Sequence, residues 1–212
     1  MMEKELEIYY DHYKDSFTHQ KGYLKQRDKY FLYCIILLTL IFMNTMLPKD
    51  FELLSKNYLE NKVGLRDFNN LKLLNSFLLF CMLSISMKYF QISLLIERQY
   101  SYLHRVEKKL TSKLTNFQID REGKVYLNNY PIYGSIVHRI YSIGFPLLLI
   151  ALLIVQWQSC LNAISEYNLI SFFSFDSLII VTIIFLTLFY LSWIHFKDFK
   201  NSKKEKTRTN NV

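Results

Sequence analysis

The chain has 212 residues, of which 51% are hydrophobic and 17% aromatic, with five Gly, three Pro and three Cys. Its apolar residues are gathered into long runs, which sets it outside the ordinary water-soluble class, and so few chain breakers favour long, uninterrupted helix. The formal net charge of +8 does not mark a nucleic-acid binder: Lys and Arg lie beside the ends of the apolar runs, and no basic groove interleaved with aromatics is evident.

Residues 1–29 are polar but patterned. Leu6, Tyr10, Tyr13, Phe17 and Leu24 recur mostly at three, four or seven residues, one stripe of a helix. Acidic and basic residues balance here. The spacing predicts a juxtamembrane helix that runs unbroken into a first span over residues 30–47, YFLYCIILLTLIFMNTML, which Pro48, Lys49 and Asp50 should stop. Asn44 and Thr45 fall where polar groups approach the far interface. No small-x-small cleavage pattern follows this run, so it is expected to remain in the mature protein and not to act as a signal peptide.

Residues 48–72 read as an exterior loop. Phe51, Leu54, Leu59 and Val63 keep a helical pattern there, consistent with a short helix on the outer surface that breaks near Gly64. A second span over 73–95 is longer than one crossing of about 30 Å needs. The helix is therefore expected to leave the bilayer near Phe90, with Lys88 close to the inner interface. Lys88 is the sharpest single charge in a span: either a snorkelling anchor or a candidate pore or interface charge.

Residues 96–139 form a polar module. Ile96, Tyr100, Leu103, Val106, Leu110 and Leu114 make an apolar stripe, with Arg98, Arg105, Lys108, Lys109 and Lys113 on the other faces. Such a stripe packs on another helix. Tyr100, Leu103, Val106 and Leu110 are the candidate oligomer or partner contacts, and the N-terminal helix of this chain or of a neighbour is the obvious partner. Phe117–Leu127 changes period around Asp120, Arg121, Glu122 and Gly123 and reads as a small β-hairpin. Pro131 can then open a helix, and IYGSIVHRIYSIGF is amphipathic and Tyr-rich, suited to the headgroup level.

A third span is expected over 140–158, with Pro146 in its first turns as a kink. Residues 159–176 form an exterior turn with no Lys or Arg, 177–196 a fourth span, and 197–212 a basic, disordered cytosolic tail.

Charge sets the orientation. All but six of the 26 Lys and Arg lie in the N-terminal segment, the middle module and the tail. Five of the six (Lys49, Lys56, Lys62, Arg66 and Lys72) lie in the first loop and the sixth is Lys88. The positive-inside rule then puts both termini and the middle module in the cytosol.

Motifs for chemistry are lacking. Cys34, Cys81 and Cys160 fall in or at the end of apolar runs without a CxxC, and read as small packing residues. His12 and His19 share a helix face near Asp11 and Asp15, but their spacing is too loose for a metal site. Asp120, Arg121 and Glu122 read as a solvated turn rather than an acid–base cluster. No catalytic, cofactor-binding or metal-ligating residue is assigned, and the chain is expected not to be an enzyme.

ERQYSYLHRVEKKL (Glu97–Leu110) and REGKVYLNNYP (Arg121–Pro131), set between two hydrophobic hairpins, resemble bacterial four-span inner-membrane proteins of unknown function. More distantly the arrangement is similar to small membrane effectors of bacterial immune systems, in which a cytosolic part gates or clusters short spans. The expectation is thus an all-α membrane protein. It has four transmembrane helices in two hairpins, cytosolic helical extensions and a small β-hairpin. Its expected partners are the lipid bilayer, further copies of itself as a homo-oligomer and a cytosolic protein, with no nucleic acid. The alternative, a small channel or transporter subunit, calls for paired intramembrane polar residues or an internal repeat. The sequence shows no clear repeat and few buried charges.

Overall fold

The computed structural model describes residues 2–58, 61, 71–113, 132–166 and 170–209. Among these, all but Leu47 are helical and none is in a strand. The hairpin expected over Phe117–Leu127 and the break near Gly64 lie outside the described residues, as does the Asp120–Gly123 turn.

Helix α1 runs unbroken over Met2–Met46. It contains no Pro, and its one Gly, Gly22, faces open space. Leu47 is a single-residue joint: its N–H donates to Met43 O and its carbonyl accepts from Phe51 N–H, both at 2.9 Å. Helix α2, Pro48–Tyr58, therefore begins at the proline, whose missing N–H is not needed at a first position. Within α2, Phe51 is buried while Leu53, Leu54 and Tyr58 are exposed.

Helix α3 spans Leu71–Lys113, matching the expectation that the second span continues as a polar helix. Helix α4 covers Ile132–Arg139 and passes through a π-helical segment, Ile140–Gly144, into α5, Phe145–Glu166. The widened turn has a cause in the sequence. Pro146 has no N–H for the carbonyl four residues back, at Ser142, and its ring would clash there; a wide turn accommodates both.

Helix α6 runs over Ile170–Thr209 and packs against α5. The segment expected as an exterior turn over 159–176 is entered by both helices, since α5 continues to Glu166 and α6 starts at Ile170, while the apolar stretches end at Ser159 and begin at Phe175. One expectation changes here. The basic tail is helical to Thr209 rather than disordered: no Gly or Pro follows Pro146, and its Lys and Glu are good helix formers.

The chain divides into two compact units, Met1–Leu32 with Lys88–Ile140, and Tyr33–Met87 with Tyr141–Val212. In the first unit α1 and α3 lie antiparallel, since contacts climb one helix as they descend the other. Tyr13 meets Glu107, Ser16 meets Gln99 and Phe31 meets Tyr89. Its core is Tyr13, Leu103, Val106 and Leu110, flanked by Leu6, Tyr9, Phe17 and Tyr102. Each fully buried Leu there stabilises the pair by about 1.5–3 kcal/mol. The rim is aqueous in character: Lys4, Glu7, Asp11, Lys14 and Asp15 are exposed, and Lys113 sits 4.7 Å over the Tyr9 ring.

The second unit also has an apolar core, with Leu79, Met82, Leu149, Leu153, Ile180 and Ile183 buried, but its outer face differs: Leu178, Phe185, Phe77 and Phe189 are exposed, and Asn75, Ser76, Gln156 and Asp176 are buried at one end. Four helical stretches, Leu6–Met46, Leu73–Lys113, Ile136–Ser159 and Phe175–Ile194, are long and apolar enough to cross a membrane. Four such helices with apolar side chains on the outside suit a surrounding solvent of hydrocarbon, and mark a multi-pass membrane protein.

Candidate functional site

The polar interior of the second unit is built from all four of its long helices. α1 supplies Asn44 and Thr45, α3 Asn75 and Ser76, α5 Gln156, and α6 Asp176. Each comes from the same end of its apolar stretch, so the four helices bring them to one level.

Asn75 is the hub. Its Oδ1 accepts from Asn44 Nδ2 at 2.9 Å and from Gln156 Nε2 at 3.1 Å, and its Nδ2 donates to Asp176 Oδ2 at 3.0 Å. Ser76 Oγ donates to Asp176 Oδ1 at 2.5 Å. Thr45 Oγ1 lies against Gln156 Oε1 and 2.8 Å from Ile41 O. Asp176, Asn75 and Ser76 are each 8% exposed and Gln156 is 4% exposed.

A carboxylate removed from water is costly unless its lone pairs are met, and here both oxygens accept from short polar side chains. The arrangement ties four helices through one anionic group. Other buried polar residues of this unit are satisfied within their own helix: Ser86 Oγ donates to Leu83 O at 3.0 Å and Thr187 Oγ1 to Ile183 O at 2.7 Å. The Asp176 network, by contrast, crosses between helices.

The residues singled out from sequence are placed elsewhere. Leu103, Val106 and Leu110 are buried against α1 of the same chain, and Tyr100 is half-buried beside them. The surface the stripe meets is intramolecular. Lys88 is exposed on α3, next to buried Tyr89 and Phe90. His12 Nε2 lies 2.5 Å from Tyr102 OH, and His138 Nε2 lies 4.0 Å from Glu97 Oε1. Tyr13 OH donates to buried Glu107 Oε1 at 2.9 Å. Among the described residues no group of three His, Cys, Asp or Glu is placed to hold a metal ion.

Asn44 and Thr45 read in sequence as polar groups near an interface, Gln156 falls within the third span, and Asp176 is the last residue of an exterior turn. The signal that would have joined them is depth. Residues 44 and 45 precede the end of the first span, 75 and 76 follow the start of the second, 156 precedes the end of the third and 176 opens the fourth.

No protein-family model, curated protein or solved structure matches this chain.

Proposed function

We propose that the chain is a non-enzymatic multi-pass protein of a bacterial inner membrane, with both termini and the segment between the second and third spans in the cytosol. It acts as a homo-oligomer or with a cytosolic partner, and its polar unit controls the membrane bundle, altering permeability or anchoring the partner. The observation that carries this reading is that α1 and α3 each belong to both units. A displacement of the water-exposed helix pair is carried along the same backbones into the bundle. Leu103, Val106 and Leu110 hold that pair together, and its exposed charged rim is the surface a partner or second copy would meet.

The test is dye release from proteoliposomes. Wild-type protein releases dye or is switched by the polar unit, and Leu103→Ala with Leu110→Ala alters that release at equal insertion. Release indifferent to the pair, together with harmless overexpression, would sink the effector reading. A reporter inserted at Asn128 should read cytosolic.

One observation favours the second reading, a small channel or transporter subunit: the network that joins Asn44, Thr45, Asn75, Ser76 and Gln156 to the carboxylate of Asp176. An ionisable residue inside a spanning bundle is where ion pathways are built. Ion flux that is lost in Asp176→Asn while dye release is unaffected would select this reading over the first.

A further inference from the structure

We propose that the helix pair α1 and α3 carries a self-complementary interface, in which the acidic row Glu7, Asp11 and Asp15 of one copy meets the basic residues Arg105, Lys108 and Lys109 of a second copy. This deepens the homo-oligomer reading above and rests on it.

The first ground is register. Tyr13 OH donates to Glu107 Oε1 at 2.9 Å, and the two helices are antiparallel. The residue two positions after Tyr13 is therefore level with the one two positions before Glu107. Asp15 is level with Arg105, and Asp11 with Lys109. Both rows step by four residues, about 6 Å of helical rise, so they keep pace along the pair. Glu7 continues the acidic row one turn outward. Lys113 is level with it but stands 4.7 Å over the Tyr9 ring of its own chain, so the two inner levels carry the match.

The second ground is that neither row is answered within the chain. All six side chains are exposed, and the buried seam of Tyr13, Leu103, Val106 and Leu110 lies between the two helices that carry them. Among the described residues none of the six forms an ion pair. From Glu7 to Asp15 three acidic residues stand against Lys14 alone. From Arg98 to Lys113 five basic residues stand against Glu107, which is buried facing Tyr13. Like charges on successive turns repel along their own helix, and a row of opposite sign relieves both.

The third ground selects the occupant. Arg105 and Lys109 lie roughly 25–32 Å past Lys88 along α3, several Debye lengths of about 8 Å, so a headgroup at the level of Lys88 does not answer them. A nucleic acid would answer the basic row and leave the acidic one bare. A second copy answers both. Copies of one multi-pass chain insert in one direction, so the axis that relates them runs along the membrane normal and residues of equal height meet. Asp11 and Asp15 of one copy then arrive at Lys109 and Arg105 of the next. The contact is heterologous, α1 against α3, and repeats until a ring closes. Exposed ion pairs are individually weak, so these rows set orientation and register, and salt loosens them.

The experiment is energy transfer between donor- and acceptor-labelled full-length copies in phosphatidylcholine proteoliposomes. Wild-type copies should associate, and less so as salt is raised. Asp11→Lys with Asp15→Lys should weaken association about tenfold or more, as should Arg105→Glu with Lys109→Glu. Mixing the two variants should restore it, because each then meets rows of opposite sign, and so should all four substitutions in one chain. If a reversed variant does not fold, zero-length carbodiimide coupling of the wild type decides: it should join Asp11 or Asp15 of one copy to Lys108 or Lys109 of another. Wild-type copies that show no transfer overturn the proposal, as does association indifferent to both reversals, or a mixture that does not recover. Arg105→Glu with Lys109→Glu that releases RNA or anionic vesicles while association is unchanged gives the basic row to another polyanion and overturns it too. Because energy transfer reads association alone, restored association with dye release indifferent to the helix pair would leave the interface standing and remove the effector reading. Dye release switched by the helix pair in a protein that shows no transfer would do the reverse.

Discussion

The two units are made partly from the same two helices and both bury apolar cores, yet they present different outer faces. In Met1–Leu32 with Lys88–Ile140, Leu103 and Leu110 are almost wholly buried and Lys4, Glu7, Asp11, Lys14 and Asp15 of α1 face outward. In Tyr33–Met87 with Tyr141–Val212, Leu178 is 66% and Phe185 64% exposed, while Asp176 and Asn75 are turned inward. Helix propensity does not distinguish them, since α1 and α3 cross from one unit to the other without a break. What changes along each helix is the outer face: charged side chains cover one stretch and apolar side chains the other, as hydrocarbon requires of a span. The lesson is that an Asn or Asp in this chain must be read by its depth before it is read by its type.

The largest way to break the comparison is at the hub of the inward polar group. Asn75→Leu keeps volume and helix but removes one donor to Asp176 and the acceptor of both Asn44 and Gln156. It should cost about 4 kcal/mol, because buried polar groups lose partners without regaining water. Unfolding titrated with SDS in mixed micelles measures it. A loss under 1 kcal/mol would mean that the network is wet and does not hold the helices together.

The matching test in the other unit is Leu103→Ala, at a residue with no exposure. It should cost about 3 kcal/mol, the usual loss for a buried Leu that leaves a cavity. Hydrogen exchange at α1 amides near Tyr13 should rise while amides beyond Leu38 keep their protection. Equal loss of protection in both stretches would show that the units do not unfold separately.

A paired substitution sharpens the comparison directly. Phe185 and Ile8 are exposed to nearly the same degree, 64% and 69%. Phe185→Lys should cost about 3 kcal/mol of membrane insertion, the penalty for Lys near the centre of a span. Ile8→Lys should change stability by no more than about 0.5 kcal/mol, as on a wet surface. Glycosylation-site insertion assays measure the first and urea unfolding the second. Similar effects at both positions would remove the distinction of solvents.

Much of this was legible from residues alone. The stripe of Leu103, Val106 and Leu110 and the stripe containing Tyr13 and Phe17 announced themselves by period, and their meeting follows because each needs cover from water. The unbroken α1 and α3 follow from the near absence of Gly and Pro. The polar network did not announce itself, because periodicity reports which face is apolar against polar surroundings. Asn44, Asn75, Gln156 and Asp176 are isolated in four different stretches, and no local pattern links them. Their helices had to be set side by side first. The extent of α6 was missed for a different reason: the charge-rich run after Ile194 looks like a solvated tail by composition, while its residues favour helix individually.

The smallest effect is expected at Lys88, where the two units meet in sequence. Its side chain is exposed although Tyr89 and Phe90 beside it are buried. An exposed Lys at the end of an apolar stretch reaches its ammonium to the headgroups and lays its methylenes along hydrocarbon. Lys88→Met keeps that apolar stem and removes only the charge, so unfolding and dye release should both stay within error of wild type. Lys88→Glu should instead destabilise the protein by about 1–2 kcal/mol in bilayers that contain anionic lipid, since one attractive charge is replaced by a repulsive one, and the deficit should shrink as salt is raised. If Lys88→Met abolishes release at unchanged stability, Lys88 faces a pathway formed between copies of the chain, and the exposed surface of α3 at this level is an oligomer contact and not a lipid face.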